Sequence, residues 1–223
     1  MGIIRILTAL IVAGGFILSG CGIGYDSTPN AGPPSNSPGP ENTGPETIVV
    51  GISLYLLVDD ADDPDPELSS GRTQEGLAVI LDGMNLIWRQ AGIQLELKTV
   101  STVQVPKTVL RALLAGDLGL FFNQLGRNIN IPGAAAINGY YVRGLGGSNG
   151  IAVPGAHSYF VMDTPSVFDR RVSSHEVGHI LGLEHTLADR SRLLYPGTNG
   201  MTLTQEEAVR ARESAQRLTG IGQ

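Results

Sequence analysis

His175, Glu176, His179 and His185 are the residues of this chain whose types and spacing allow them to do chemistry together. On a helix, residues four apart lie one turn apart on one face, so His175 and His179 can aim two imidazoles at one cation. Glu176 projects beside them, close enough to hold a water against that cation. Gly182 can take the left-handed conformation that ends a helix and turns the chain back. His185 can then come up to the same point as a third nitrogen ligand. Three neutral imidazoles at about 2.0–2.1 Å suit Zn2+ and leave its fourth tetrahedral position open, the arrangement of a catalytic rather than a structural zinc. With the cation as Lewis acid and Glu176 as general base, the set would activate water for hydrolysis. Of the chain's four histidines, only His157 falls outside this stretch. The competing reading is an amphipathic helix whose histidines are satisfied at its surface.

The pattern His175-Glu176-x-x-His179-x-x-Gly182-x-x-His185 resembles the signature of the metzincin zinc endopeptidases. The resemblance implies one catalytic Zn2+ on the three histidines, Glu176 as the catalytic base, and a peptide or protein substrate. It also implies a methionine turn beneath the metal. Leu193-Leu194-Tyr195-Pro196 resembles the matrixin form of that turn with Leu194 in the methionine's place, whereas Thr186, directly after His185, looks more like the pappalysin branch. Leucine has a similar volume and repacks at small cost. Leu194 nevertheless leaves a second reading open, a zinc-containing surface binding module without proteolysis. Gly150, Ile151, Ala152 and Val153 look like the short edge strand above a metzincin cleft, where unpaired N–H and C=O groups would align an extended peptide across the metal. Tyr195 stands one place after Leu194, whereas the ligand tyrosine of astacin-like relatives stands two places after the methionine, so a structural role is expected. His157 is expected to be exposed or hydrogen-bonded, because a second zinc of the matrixin kind needs further histidines.

Such a site needs a scaffold: the order of elements predicts an α/β (α+β) domain, and the resemblance implies the metzincin-like zincin type, with a twisted mixed sheet, a long helix, an active-site helix and a C-terminal helix. Residues 47–58 alternate around Val49, Ile52, Leu54 and Leu56 as a first strand. Residues 72–91 carry Leu77, Ile80, Leu81, Met84, Ile87 and Trp88 at helical spacing, Gly92 ends that helix, and 93–100 resumes as a strand. Residues 107–125 lean to helix, with Gly116 and Gly119 as interruptions. Stretches 129–131, 135–142 and 158–162 read as strands and 144–150 as a loop. Thr164 and Pro165 suggest the start of the helix that runs through His175 and His179 to Gly182. Thr204 with Glu207 predicts a capping box for a helix to about Leu218. The acidic run from Asp59 to Glu67 lacks EF-hand spacing and reads as a solvated loop, with a calcium site as the alternative.

The N-terminus reads as an address. Arg5 precedes a short apolar run that ends in Leu18-Ser19-Gly20-Cys21, which resembles the lipobox of bacterial lipoproteins. The resemblance implies a signal peptide over 1–20, cleavage before Cys21 and acylation of that cysteine, and so membrane attachment in the cell envelope. A free cysteine beside an uncleaved anchor is the alternative. Gly22 is not the aspartate associated with inner-membrane retention, which favours the outer membrane. Residues 21–46 are rich in Pro, Gly, Ser and Asn and read as a tether, leaving 47–223 as one catalytic domain. Cys21 is the only cysteine, so no disulfide staples the domain, and no second cysteine is present to silence a zinc. A net charge of −6 offers no basic stripe for nucleic acid. No serine or cysteine nucleophile with a matching base competes with the histidine set. Oligomeric state is not legible.

Overall fold

The computed structural model describes residues 46–220; the expected signal peptide, Cys21 and almost all of the tether lie outside them. Five strands form one sheet in the order β2-β1-β3-β5-β4, with β1 at Ile48–Val58, β2 at Ile93–Gln104, β3 at Ile137–Val142, β4 at Gly150–Val153 and β5 at Ser158–Met162. The first four strands in that order are parallel, and β4 alone runs antiparallel, at one edge against β5. A parallel neighbour needs a crossover, and helix α1 (Gln74–Trp88) supplies it between β1 and β2.

Helix α1 forms where the periodicity predicts. The Thr73 side chain accepts from the Gly76 N–H at its start, and Gly92, at φ 60°, turns the chain out beyond it. Leu77, Ile80, Leu81, Met84, Ile87 and Trp88 are buried in one core with Ile52, Leu54 and Leu56 of β1. Helices α4 (Asp169–Ile180) and α5 (Gln205–Thr219) complete that face. Helices α2 (Lys107–Leu114) and α3 (Gly119–Gln124) cover the other, where Tyr55, Phe121, Tyr140 and Phe160 stack. A parallel sheet is stable only when both faces are covered, and here both are. The capping box of Thr204 and Glu207 is present, and α5 ends at Gly220. Among the described residues, no helix is long and apolar enough to cross a membrane.

Several boundaries depart from the sequence reading. Val49 points outward, 42% exposed, while β1 is otherwise buried on both faces. The strand predicted over 93–100 continues to Gln104 because it pairs with β1 along its whole length, across a bulge opposite Ile52 and Ser53. The single helix predicted over 107–125 is two, broken at Gly116 (φ 84°). No strand forms over 129–131: Ile129 makes one isolated bridge to Leu125. Strand β3 begins at Ile137 rather than at residue 135, because the Asn138 side chain binds both the N–H and the C=O of Ala135. Helix α4 starts at Asp169, not Thr164. Asn149 Oδ1 takes the Ser166 N–H and Asn199 Oδ1 takes the Phe168 N–H, so side chains from outside occupy the groups an earlier first turn would present. In the acidic loop, the Lys107 ammonium lies 3.0 Å from Asp59 and 3.3 Å from Asp65.

What matters for the site is how α4 is held. The Arg72 guanidinium donates to the carbonyls of Met162 and Asp163 and to Asp169 Oδ1, tying the end of β5 to the first residue of α4. Further along, the Tyr141 hydroxyl lies 3.0 Å from Ser173 Oγ. Val177, Ile180 and Leu181 then pack into the core shared with α1 and the sheet. The helix is pinned at its start, middle and end.

Candidate active site

Helix α4 presents His175 and Glu176, 5% and 6% exposed, and the half-buried His179 one turn on. Gly182 takes φ 79°, and the chain reverses as predicted. His185 returns to the same point, and its segment is fixed by the Thr186 N–H donating to Leu194 O at 3.1 Å. The three Nε2 atoms form a near-equilateral triangle with sides of 3.0, 3.2 and 3.2 Å. Tetrahedral nitrogen ligands about 2.0–2.1 Å from Zn2+ stand roughly 3.3–3.4 Å apart, so the donor set fits that ion with a relaxation of a few tenths of an ångström.

Protonation favours the same outcome. Nδ1 of His175 donates to Leu193 O at 2.8 Å and Nδ1 of His179 to Leu183 O at 2.9 Å, which leaves both Nε2 atoms as acceptors facing the centre. Burial, opposed in part by the bond to Leu193 O, lowers the pKa of His175 from 6.5 to about 3. His179 is lowered too, by burial first. Both imidazoles are thus neutral, the form that binds a metal.

Glu176 lies between this triangle and the edge strand. Burial raises its pKa from 4.5 to about 7, against the opposing effects of the Arg171 charge and the backbone N–H of Ala152. Gly150 makes the close approach possible: a Cβ there would stand 2.7 Å from Glu176 Oε1 and 2.9 Å from Val172 Cγ1. A cleft of about 640 Å³ opens over these groups, with Gly150, Ile151, Ala152 and Pro154 on one side and Gly182, Leu183 and Glu184 on the other. Of the predicted edge-strand residues, Val153 does not line it. Side chains alternate along a strand, and Val153 packs with Ile151 against the core of the opposite face.

The turn beneath the histidines carries Leu194 as a fully buried side chain. A Cβ on Gly178 would meet its Cδ2 at 3.2 Å, so Leu194 fills the space directly under α4. Tyr195 is half-buried, with Arg190 over its ring, and its carbonyl accepts from Arg171. His157 is exposed at the turn between β4 and β5, at φ 45°. Three contributors escaped the sequence reading: the carbonyls of Leu183 and Leu193, and Arg171, which donates to Leu193 O and Tyr195 O. Backbone acceptors leave no mark in a sequence. Arg171 does leave one, as a charge four residues before His175 on the same helical face.

Comparison with solved structures places the fold in a known architecture. Archaemetzincin from Methanopyrus kandleri superposes with a TM-score of 0.52 at 13% identity, over 78% of this chain and 99% of that one. The fold is metzincin-like. A structure described as a chaperone-substrate complex matches 80% of this chain at a TM-score of 0.51 and 14% identity, and this chain spans 35% of its length. A zinc-dependent peptidase from Methanocorpusculum labreanum aligns at a TM-score of 0.38 and 13% identity, over 74% of this chain and 100% of that one. No protein-family model and no curated protein matches the sequence. Within the metzincin-like fold, the histidine triangle, Glu176 and the antiparallel edge strand β4 meet in one cleft.

Proposed function

We propose that this chain is a zinc-dependent endopeptidase, with His175, His179 and His185 holding one Zn2+ and Glu176 as general base. The observation that carries the reading is the triangle of converging Nε2 atoms beside the buried carboxyl of Glu176. When bound, zinc supplies Lewis acidity, which acidifies water and polarises a peptide carbonyl. Glu176 takes the proton of the attacking water and passes it to the amine that leaves, a double duty suited to a carboxyl that titrates near neutrality. The free edge of β4 has backbone groups available to align an extended substrate by strand addition, with Gly150 and Ala152 nearest the carboxyl. Membership of the metzincin clan, with a leucine in the methionine position, is part of the same proposal.

The proposal extends to the address. We infer that the chain is cut before Cys21, acylated there, and held in the bacterial cell envelope, the outer membrane being favoured by Gly22, with residues 21–46 as tether to a domain spanning 47–223. Labelled fatty acid incorporated into wild-type protein but not into Cys21→Ser would support the anchor, and equal labelling of both would refute it.

Glu176→Ala tests the chemistry. The variant should keep one equivalent of zinc by elemental analysis and lose cleavage of an unfolded, casein-like protein by at least about a hundredfold. Cleavage at the wild-type rate would remove Glu176 from the mechanism. Wild-type protein that holds zinc but cuts nothing across a broad peptide library would instead favour the non-proteolytic binding module.

A further inference from the structure

We propose that Arg171 is the positioning residue of the metal centre, setting the ring of His175 through a carbonyl that both side chains share; this rests on the zinc-site reading above. Arg171 and His175 are four residues apart, one turn along the same face of α4. Both reach Leu193 O, each at 2.8 Å. The same Arg171 Nη2 also donates to Tyr195 O. One nitrogen therefore brackets Leu194, gripping the carbonyls on either side while the Leu194 side chain fills the space beneath Gly178. The turn is held by its polar groups from one direction and by its apolar group from the other.

Arg171 is an unusual side chain to bury. Arg171 is 3% exposed, its Nε has no hydrogen-bond partner, and no carboxylate among the described residues pairs with it at ion-pair distance. Burying a cation without a close carboxylate is costly, and the two carbonyl hydrogen bonds offset that cost. The arrangement offers orientation in return. The partner of a ligating histidine's second nitrogen fixes its tautomer and ring plane, and losing such partners weakens metal binding about 10–100-fold. Here that partner is a main-chain oxygen, which no side-chain substitution removes. Arg171 is the group that keeps the oxygen in place.

The test uses the full-length protein, with zinc affinity from chelator competition, the visible spectrum of the cobalt(II)-substituted form, and the thermal midpoint without metal. Arg171→Met removes both carbonyl contacts and should lower the metal-free midpoint only modestly, weaken zinc binding about 10–100-fold, and alter the cobalt spectrum. Arg171→Lys keeps the charge as a single point, without the planar fork, and should recover part of the affinity. A folded Arg171→Met with wild-type affinity and spectrum would overturn the proposal. If Arg171→Met does not fold, Arg171→Lys decides: intermediate affinity with a changed spectrum supports it, and wild-type values overturn it. Failure of the underlying reading looks different, because wild-type protein would then bind no zinc at this site, whatever stands at position 171.

Discussion

The carboxyl of Glu176 gives the sharpest prediction, because the same burial that suits it to the proposed role of general base should cost stability in a calculable pH window. Its pKa rises from 4.5 to about 7 on folding, with burial the dominant cause. A raised carboxyl means that the folded state binds the proton more tightly than the unfolded chain. Below pH 4.5 both states are protonated and Glu176 contributes nothing. Between pH 4.5 and about 7 the unfolded chain ionises first, so stability falls as pH rises, and above 7 the full cost is present. At about 1.4 kcal/mol for each pH unit, that cost is about 3 kcal/mol. Glu176→Gln removes the ionisation and keeps the shape. In protein stripped of metal, urea unfolding of wild type and variant should coincide at pH 4, and the variant should be more stable by about 2–3 kcal/mol at pH 8, roughly 5–10 °C in midpoint. His175 works with the opposite sign, since its folded pKa of about 3 makes stability fall as pH drops below 6.5. It is present in both proteins and cancels in the difference. A difference between the two that stays constant from pH 4 to 8 would refute the burial account of Glu176.

Two further substitutions test the packing around the site. Gly150→Ala places a methyl 2.7 Å from Glu176 Oε1 and should cut peptidase activity at least about tenfold without loss of zinc, read from kcat/KM and metal content together; unchanged activity would show that the carboxyl does not need this approach. Leu194→Ala should destabilise the fold by about 3 kcal/mol in denaturant titration, as expected for a fully buried leucine, whereas Leu194→Met should stay within about 1.5 kcal/mol of wild type.

The sequence made the site legible in its ligands and only partly in its supports. The helical spacing of His175 and His179 and the left-handed turn at Gly182 are local devices, and the family resemblance added His185; in the structure the three histidines converge and Gly182 takes a positive φ. Long, strongly periodic elements such as α1 and the capped α5 were legible for the same reason. What failed was decided from a distance. The start of α4 depends on Asn149 and Asn199, and the start of β3 on Asn138 folding back on Ala135. A short apolar stretch around Ile129 could have paired as a strand, but the fold gives it a single bridge. The contact of the acidic loop with Lys107, remote in sequence, was not legible either.

The leucine at position 194 then weighs less against catalysis than the sequence suggested. Read as a pattern, it is a missing methionine in a turn defined by methionine. Read as a structure, the turn does two separable jobs. The side chain at 194 fills apolar volume under Gly178, which leucine does at 0% exposure. The polar work belongs to the carbonyls of residues 193 and 195, which contact Arg171 and, through Leu193 O, His175. A carbonyl is present whatever the side chain, so the position between them is constrained by volume rather than by sulfur chemistry. It follows that the distinguishing residue of this centre is not the one that breaks the pattern. It is Arg171, a buried side chain whose two carbonyl contacts bracket that position.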